Sequence, residues 1–250
     1  YLIPPRGLLV KDLFPARSRV AKAAWMALVE RANLAHAAGV HVTSAIEAIE
    51  VKRFSYRLGG RLVEVPNGVA LAPEFPLEPG AGSGYVLMLG RINWKKRIEI
   101  ALEALKLVDD IRLVIAGDDD DGLTPALRAR AAALGVQERV DFVGPVAGAA
   151  KRQLLREALA LLMPSLSENF GNSALEAMAE GTPAIVAPEV GIADFVRNSG
   201  AGFVVAPDGR ALADAIRQLQ GDPELRARMR ARARASVAAM CPSSPIRPRA

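Results

Sequence analysis

Residues 158–176 read A-L-A-L-L-M-P-S-L-S-E-N-F-G-N-S-A-L-E. Ala158 to Met163 is a short apolar run, the pattern of a buried strand, and Pro164 stops it. Glu168 and Glu176 then bracket a Gly-Asn-Ser step at 171–173 that reads as a helix start. Strand, loop and helix start in succession is where an open α/β sheet binds ligands, beyond the carboxyl ends of its strands. A helix start presents backbone N–H groups and the positive end of a dipole, and both favour phosphate. With Asn172 opening the helix, Glu176 sits one turn further on, about 6 Å up the axis at 1.5 Å per residue. Helical side chains lean toward the N-terminus. That carboxylate could therefore accept hydrogen bonds from two hydroxyls of a ribose whose phosphates rest on the helix start. The stretch predicts a nucleotide-diphosphate site. Two solvated glutamates on an ordinary strand-loop-helix are the bland alternative, and a second constellation weighs against it.

Tyr85 to Leu89 (Y-V-L-M-L) reads as another buried strand. It ends at Gly90 and runs through R-I-N-W-K-K-R into a helical pattern, Ile98 to Val108. Arg91 and Lys96 thus fall in the loop after a strand, on the expected ligand edge. A guanidinium grips phosphate oxygens bidentately, and an ammonium adds a compact charge. Together they could neutralise a departing diphosphate without a metal. The alternative is a solvated basic loop.

From Gly84 onward, continuous apolar runs at 85–89, 111–116, 140–143, 159–163, 184–187 and 203–205 predict parallel strands covered on both faces. Helical patterns near 97–108, 124–134, 148–157, 172–180, 192–197 and 209–220 alternate with them. The expected fold class is α/β, a doubly wound parallel sheet. Asp222-Pro223-Glu224 opens a last helix with a cap, an N1 proline and an early acid. Upstream, Ser18 to Ala38 is a helical pattern ended by Gly39, and Val40 to Thr43 is a short strand. Ser44 with Glu47 forms a capping box for the next helix, and Leu62 to Val65 is a further strand. Pro66-Asn67-Gly68 is a turn, and Leu71 to Ser83 is rich in Pro and Gly. The expected organisation is a partial α/β domain over 1–66, a linker over 67–83, a ligand-binding domain over 84–240 and a disordered Pro-rich tail over 241–250.

In order and spacing, G-R-I-N-W-K-K-R at 90–97 and E-N-F-G-N-S-A-L-E-A-M-A-E-G-T-P at 168–183 resemble the donor-binding half of a family-four retaining glycosyltransferase of the GT-B fold. P-N-G-V at 66–69, V-I-A-G at 114–117 and V-D-F-V-G at 140–144 extend the likeness, and H-V-T-S-A-I-E at 41–47 resembles the end of the acceptor-side domain. The similarity covers nearly everything from Pro4 to Met240. It implies a Rossmann-like donor domain that binds a UDP-, GDP- or ADP-sugar as substrate, with no cofactor and no metal. Arg91 and Lys96 would hold the diphosphate and stabilise its charge as it leaves, and Glu168 would contact the transferred sugar. Phe170, Gly171, Asn172 and Ser173 would offer backbone N–H groups to sugar and phosphate, and Glu176 would hold the ribose. Gly90 would belong to the same donor site, and Gly117 with Val143 and Gly144 would line the base pocket. The reaction would pass a sugar to a glycan or lipid-linked acceptor with retention at the anomeric carbon. The sequence departs from the family pattern at Arg97, where glycine is common, and in the D-D-D-D-G turn after V-I-A-G.

With 250 residues, 51% of them hydrophobic, the chain can bury a real core. The region before residue 66 holds too few strands for a complete Rossmann-like domain, and the chain opens Y-L-I-P-P rather than with Met. It is therefore expected to be the tail of an acceptor domain plus a whole donor domain. Only 5% of residues are aromatic, so a stacking platform for single-stranded nucleic acid is poorly supplied, and no nucleic-acid partner is expected. The net charge of +5 suits an anionic ligand or membrane surface. Cys241 is the single cysteine, which excludes an intrachain disulfide and fits a cytoplasmic enzyme. A peripheral contact with the inner face of a membrane is a further expectation, from Lys11, Arg17, Arg19 and Lys22 beside an amphipathic segment.

Asp118 to Asp121 does not fit a calcium loop, because placing Gly122 sixth puts Gly117 first; a surface turn is expected. The arginines at 226, 228, 230, 232 and 234 are two apart and read as a solvated helix, with anionic lipid or nucleic acid as the sharper alternative. His36 and His41 suggest no catalytic triad. A binding module without turnover, or another GT-B enzyme such as a nucleotide-sugar epimerase, remains as an alternative function. A nicotinamide dehydrogenase is disfavoured, because no G-x-G-x-x-G follows a strand.

Overall fold

The computed structural model describes residues 2–4, 33, 36–54, 61–71 and 84–240. The basic patch at 11–22, the helical pattern begun at Ser18 except Asn33 and His36 to Ala38, the stretch 72–83 and the tail with Cys241 lie outside the described residues. The chain divides into two compact units. One comprises Tyr1–Asn67 together with Glu168–Phe170, and the other Gly68–Ser167 and Gly171–Ala250.

The first unit contains a parallel sheet of β1 (Leu2–Ile3), β2 (Gly39–Val42) and β3 (Leu62–Glu64), in that order. β1 was not foreseen, since two residues carry no periodicity. Helix α1 (Ala45–Phe54) starts as the capping-box spacing predicts, with Glu47 N–H donating to Ser44 Oγ at 3.2 Å. The Glu47 carboxylate reaches one residue beyond the usual partner and accepts from Thr43 N–H and Oγ1, both at 2.8 Å. Val40, Val42, Ala48 and Val51 form the small core beneath.

The second unit is a doubly wound six-stranded parallel sheet, as expected. Its strands are β4 (Tyr85–Leu89), β5 (Arg112–Ala116), β6 (Val140–Gly144), β7 (Ala160–Met163), β8 (Ala184–Val186) and β9 (Gly202–Val204). The spatial order is β6-β5-β4-β7-β8-β9, so the chain reverses direction across the sheet between β4 and β7. Helices α2 (Ile98–Leu107), α3 (Thr124–Leu134), α4 (Gly148–Glu157), α5 (Asn172–Ala179), α6 (Ala193–Ser199), α7 (Gly209–Gly221) and α8 (Pro223–Met240) complete it. Each strand and helix falls within two residues of its expected span. α2 buries Ile98, Ala101, Leu102, Ala104 and Leu105, the three-and-four spacing of one helical face. These side chains close over Val86, Leu113, Ile115 and Leu162 of the sheet. Each fully buried leucine or isoleucine contributes about 1.5–3 kcal/mol. Tyr85 starts the central strand with its hydroxyl donating to Leu154 O at 2.7 Å. Burial first, and Glu157 second, raise that phenol above its ordinary value.

The arginine-rich helix α8 is not a solvated helix. Its arginines at 226, 230 and 234 are four apart and share one face. Arg226 donates to Leu219 O in the last turn of α7, and Arg230 to Arg156 O (2.8 Å) and Ala158 O at the end of α4. Arg234 donates to Ala179 O, the last residue of α5. Arg226 and Arg230 are buried. Desolvation, then the neighbouring Arg226, lowers the Arg230 guanidinium from its usual value. Arg139 does the same for α2, donating to Leu105 O and Val108 O at 2.8 and 2.6 Å. Four cations thus meet carbonyls at the negative ends of four helices, which the unpaired C-terminal groups of a helix favour.

Candidate functional site

The loops that carry the two charged motifs leave neighbouring strands. β4 leads into Gly90–Arg91, and β7 into Pro164–Ser167. In a doubly wound sheet the crevice beyond the carboxyl ends lies where the strand order reverses, here between β4 and β7. Both loops therefore leave the same edge, at the switch point. Leu166 N–H donates to Lys95 O at 2.8 Å, joining one loop to the other.

Lys96 closes a short 3-10 turn, Trp94–Lys96, which Asn93 caps by accepting from Lys95 N–H at 3.1 Å. A Cβ added to Gly90 would lie 3.4 Å from Lys96 Nζ, so the ammonium folds over the end of β4. The small depression there is lined by Gly90, Arg91, Lys96, Leu162 and Met163. The Arg91 side chain is 73% exposed and makes a loose ion pair with Asp120 at 3.7 Å. Such pairs contribute about 0–1 kcal/mol, so a ligand phosphate can displace it. Arg97, at the position where the family pattern has glycine, takes the left-handed conformation (φ 51°, ψ 48°).

Gly90, Gly117 and Gly144 stand side by side at the ends of β4, β5 and β6. Gly90 N–H donates to Ala116 O at 2.9 Å, and Gly117 N–H to Gly144 O at 2.8 Å. Gly117 is required by close approach, because a Cβ there would lie 2.0 Å from Gly90 O. Val143 is 47% exposed, an apolar side chain open to a flat ligand. The acidic turn beyond Gly117 serves the backbone: Asp119 accepts from Leu123 N–H and Thr124 N–H, both at 2.8 Å. Hydrogen bonds from Thr124 first, then Leu123 and Gly122, hold that carboxyl below its ordinary value. Among the described residues no group of three or more His, Cys, Asp or Glu is arranged to hold a metal ion.

Gly171 precedes α5 at φ 106°, and a Cβ there would meet Val190 Cγ1 at 2.9 Å and Ile192 Cγ2 at 3.0 Å. Asn172 and Ser173 occupy the first turn, and Glu176 follows one turn on. Glu176 is not simply solvated: Lys151 Nζ, in the first turn of α4, donates to its Oε1 at 2.9 Å. Glu168 and Phe170 belong to the stretch that packs with the first unit, whereas Arg91 and Lys96 belong to the second. Within the first unit that stretch is tied down by Asn169. Its carbonyl accepts from Ser44 Oγ at 2.6 Å, and its Nδ2 donates to Glu47 Oε1 at 2.8 Å. Sequence reading singled out neither Lys151 nor Asn169. Lys151 meets Glu176 only through a tertiary contact, and Asn169, although inside the quoted motif, shows its role only through its bonds to Ser44 and Glu47.

Residues 75–236 match the family described as glycosyl transferases group 1. The chain belongs to that family. This glycosyltransferase chain is 36% identical over 183 residues to a phosphatidyl-myo-inositol mannosyltransferase of Mycobacterium leprae, covering 68% of the chain and 47% of the relative. It is 35% identical over 190 residues to a D-inositol 3-phosphate glycosyltransferase of Nocardia farcinica, covering 72% and 42%. The glycosyltransferase chain spans about half the length, or less, of these curated relatives. Among solved structures, sucrose-phosphate synthase from Thermosynechococcus elongatus aligns at TM-score 0.80 and 25% identity, over 96% of this chain and 63% of that one. Anabaena HepE in complex with UDP-glucose aligns at TM-score 0.78 and 20% identity, over 96% and 67%, a likeness of fold. These neighbours share the GT-B fold. No helix among the described residues of this glycosyltransferase is long and apolar enough to cross a membrane.

Proposed function

We propose that this chain is the donor-binding half of a retaining hexosyltransferase, with residues 84–240 as the nucleotide-sugar domain and 1–66 as the tail of an acceptor-side domain. One observation carries the reading: the basic turn after β4 and the helix start after β7 flank the switch point on one edge of the sheet. Arg91 and Lys96 hold the diphosphate there, and the start of α5 adds its N–H groups. The base lies against Val143 and Gly144, and Glu176 accepts from the ribose. Glu168 faces the transferred sugar. As the anomeric bond breaks, positive charge grows on the sugar and negative charge on the leaving diphosphate. The two cations at this edge would stabilise the latter without a metal. The names of the inositol-acting relatives make an inositol-type acceptor the first to test, with a UDP-, GDP- or ADP-hexose as donor. The reading places the enzyme in the cytoplasm, with peripheral contact at the inner face of a membrane where the acceptor is lipid-linked.

A thermal-shift panel of UDP, GDP, ADP and their sugars tests the donor site, because a bound ligand raises the unfolding temperature according to its concentration over Kd. No shift with any of them defeats the reading. In the full-length enzyme, Arg91→Ala and Lys96→Ala should each lower kcat about a hundredfold, the typical loss of one electrostatic stabiliser. Unchanged turnover in both excludes the assigned roles. Coverage of about half of the mannosyltransferase's length favours one second reading, a module that binds donor without turnover. A transfer assay on this chain beside the binding panel separates the two.

A further inference from the structure

Lys151 and Glu176 form a pair that the donor contacts above leave without a purpose for the lysine. Lys151 lies in the first turn of α4 and Glu176 just past the first turn of α5. Both helices start at the carboxyl edge, after β6 and β7. Their side chains meet at 2.9 Å, with 30% and 31% of each exposed. A helix start carries the positive end of the dipole, so a lysine there works against the stability of α4. An ion pair whose side chains remain 30% and 31% exposed is screened by solvent and returns little. Fold stability therefore gives no reason for a lysine at this position. The geometry gives another: the ammonium fixes one oxygen of a glutamate whose side chain has three rotatable bonds.

We propose that Lys151 is a positioning residue for ribose recognition: it clamps Glu176 Oε1, so that Glu176 Oε2 stands ready for the vicinal hydroxyls of the donor's ribose. This rests on the reading of the site given above. A carboxylate is an acceptor only, and two hydroxyls can donate to it at once. Fixing the acceptor before the ligand arrives removes an ordering cost from binding. The ribose itself need not touch the lysine.

Calorimetry on the chain tests this with whichever of UDP, GDP or ADP binds, set against its 2′,3′-dideoxy counterpart. Wild-type protein should favour the ribonucleotide about tenfold or more, as expected for hydrogen bonds to a charged group. Lys151→Met and Lys151→Gln should each weaken the ribonucleotide about tenfold while moving the dideoxy ligand less than about twofold. Lys151→Arg should keep the preference. Glu176→Gln should mimic the loss, and Lys151→Met combined with it should cost no more than either alone, since residues acting as a unit are not additive. Retained dideoxy affinity shows at the same time that the variants fold. Equal weakening of both ligands would mean that Lys151 contacts phosphate or base directly, and the proposal falls. Unchanged affinity for both also overturns it. Failure of the wild-type protein to bind any of the three diphosphates overturns the reading of the site as a whole, a result distinct from the other two.

Discussion

At the scale of single residues, the site is built from backbone that only some side chains permit. Gly117 lets the end of β5 press against Gly90, where any Cβ would overlap a carbonyl. Arg97 is the opposite case, a long side chain at φ 51° where glycine would sit without strain. The two positions should respond to substitution with opposite signs. Gly117→Ala should destabilise by about 2–4 kcal/mol, in the range of severe backbone clashes. Arg97→Gly should stabilise by up to about 1 kcal/mol through release of the left-handed strain. Urea unfolding of both variants beside the wild type reads this directly, and matching signs would refute it. The glycine at 117 was legible in the sequence through the V-I-A-G run. The strain at Arg97 was legible only as a departure from a pattern. Lys151 was not legible at all, because its partner lies 25 residues away on another helix.

At the scale of elements, the strands of the second unit, apart from β6 with its internal Asp141, were easy to read because each is an apolar run stopped by glycine or proline. Their order in the sheet was not, since β4 pairs with β7 across 70 intervening residues for reasons of packing rather than local pattern. The arginine helix shows how spacing can mislead. A period of two drew attention to all five arginines, whereas the period of four within it, 226-230-234, decides which face is buried. Arg230 holds two carbonyls at the end of α4 while its own Nε is buried without a partner among the described residues. Arg230→Met keeps the stem and removes the charge. It should cost about 1–3 kcal/mol by leaving those carbonyls unsatisfied, measured as a lower urea midpoint. Arg228→Met, on the exposed side, should change stability by less than about 0.5 kcal/mol. Equal losses would remove the capping role.

At the scale of the whole molecule, the six strands and seven helices of 84–240 form a closed hydrophobic set, with Leu87, Leu113, Ile115, Leu161 and Leu162 fully covered. Residues 84–240 expressed alone should therefore fold cooperatively and bind the same nucleoside diphosphate as the whole chain, as seen by calorimetry and circular dichroism. A molten fragment would refute this.

The arginines lodged under the helix ends also change what a pI of 9.6 means. Arg139, Arg226, Arg230 and Arg234 engage carbonyl dipoles within the protein, yet a count of cations includes them on equal terms with Arg228 and Arg232 at the surface. The net charge still sets the long-range field, but fewer guanidinium groups are available for direct contact with a polyanion than the tally suggests. On the proposed reading, selectivity for a diphosphate would come from the local field at one edge of the sheet rather than from a general appetite for negative charge.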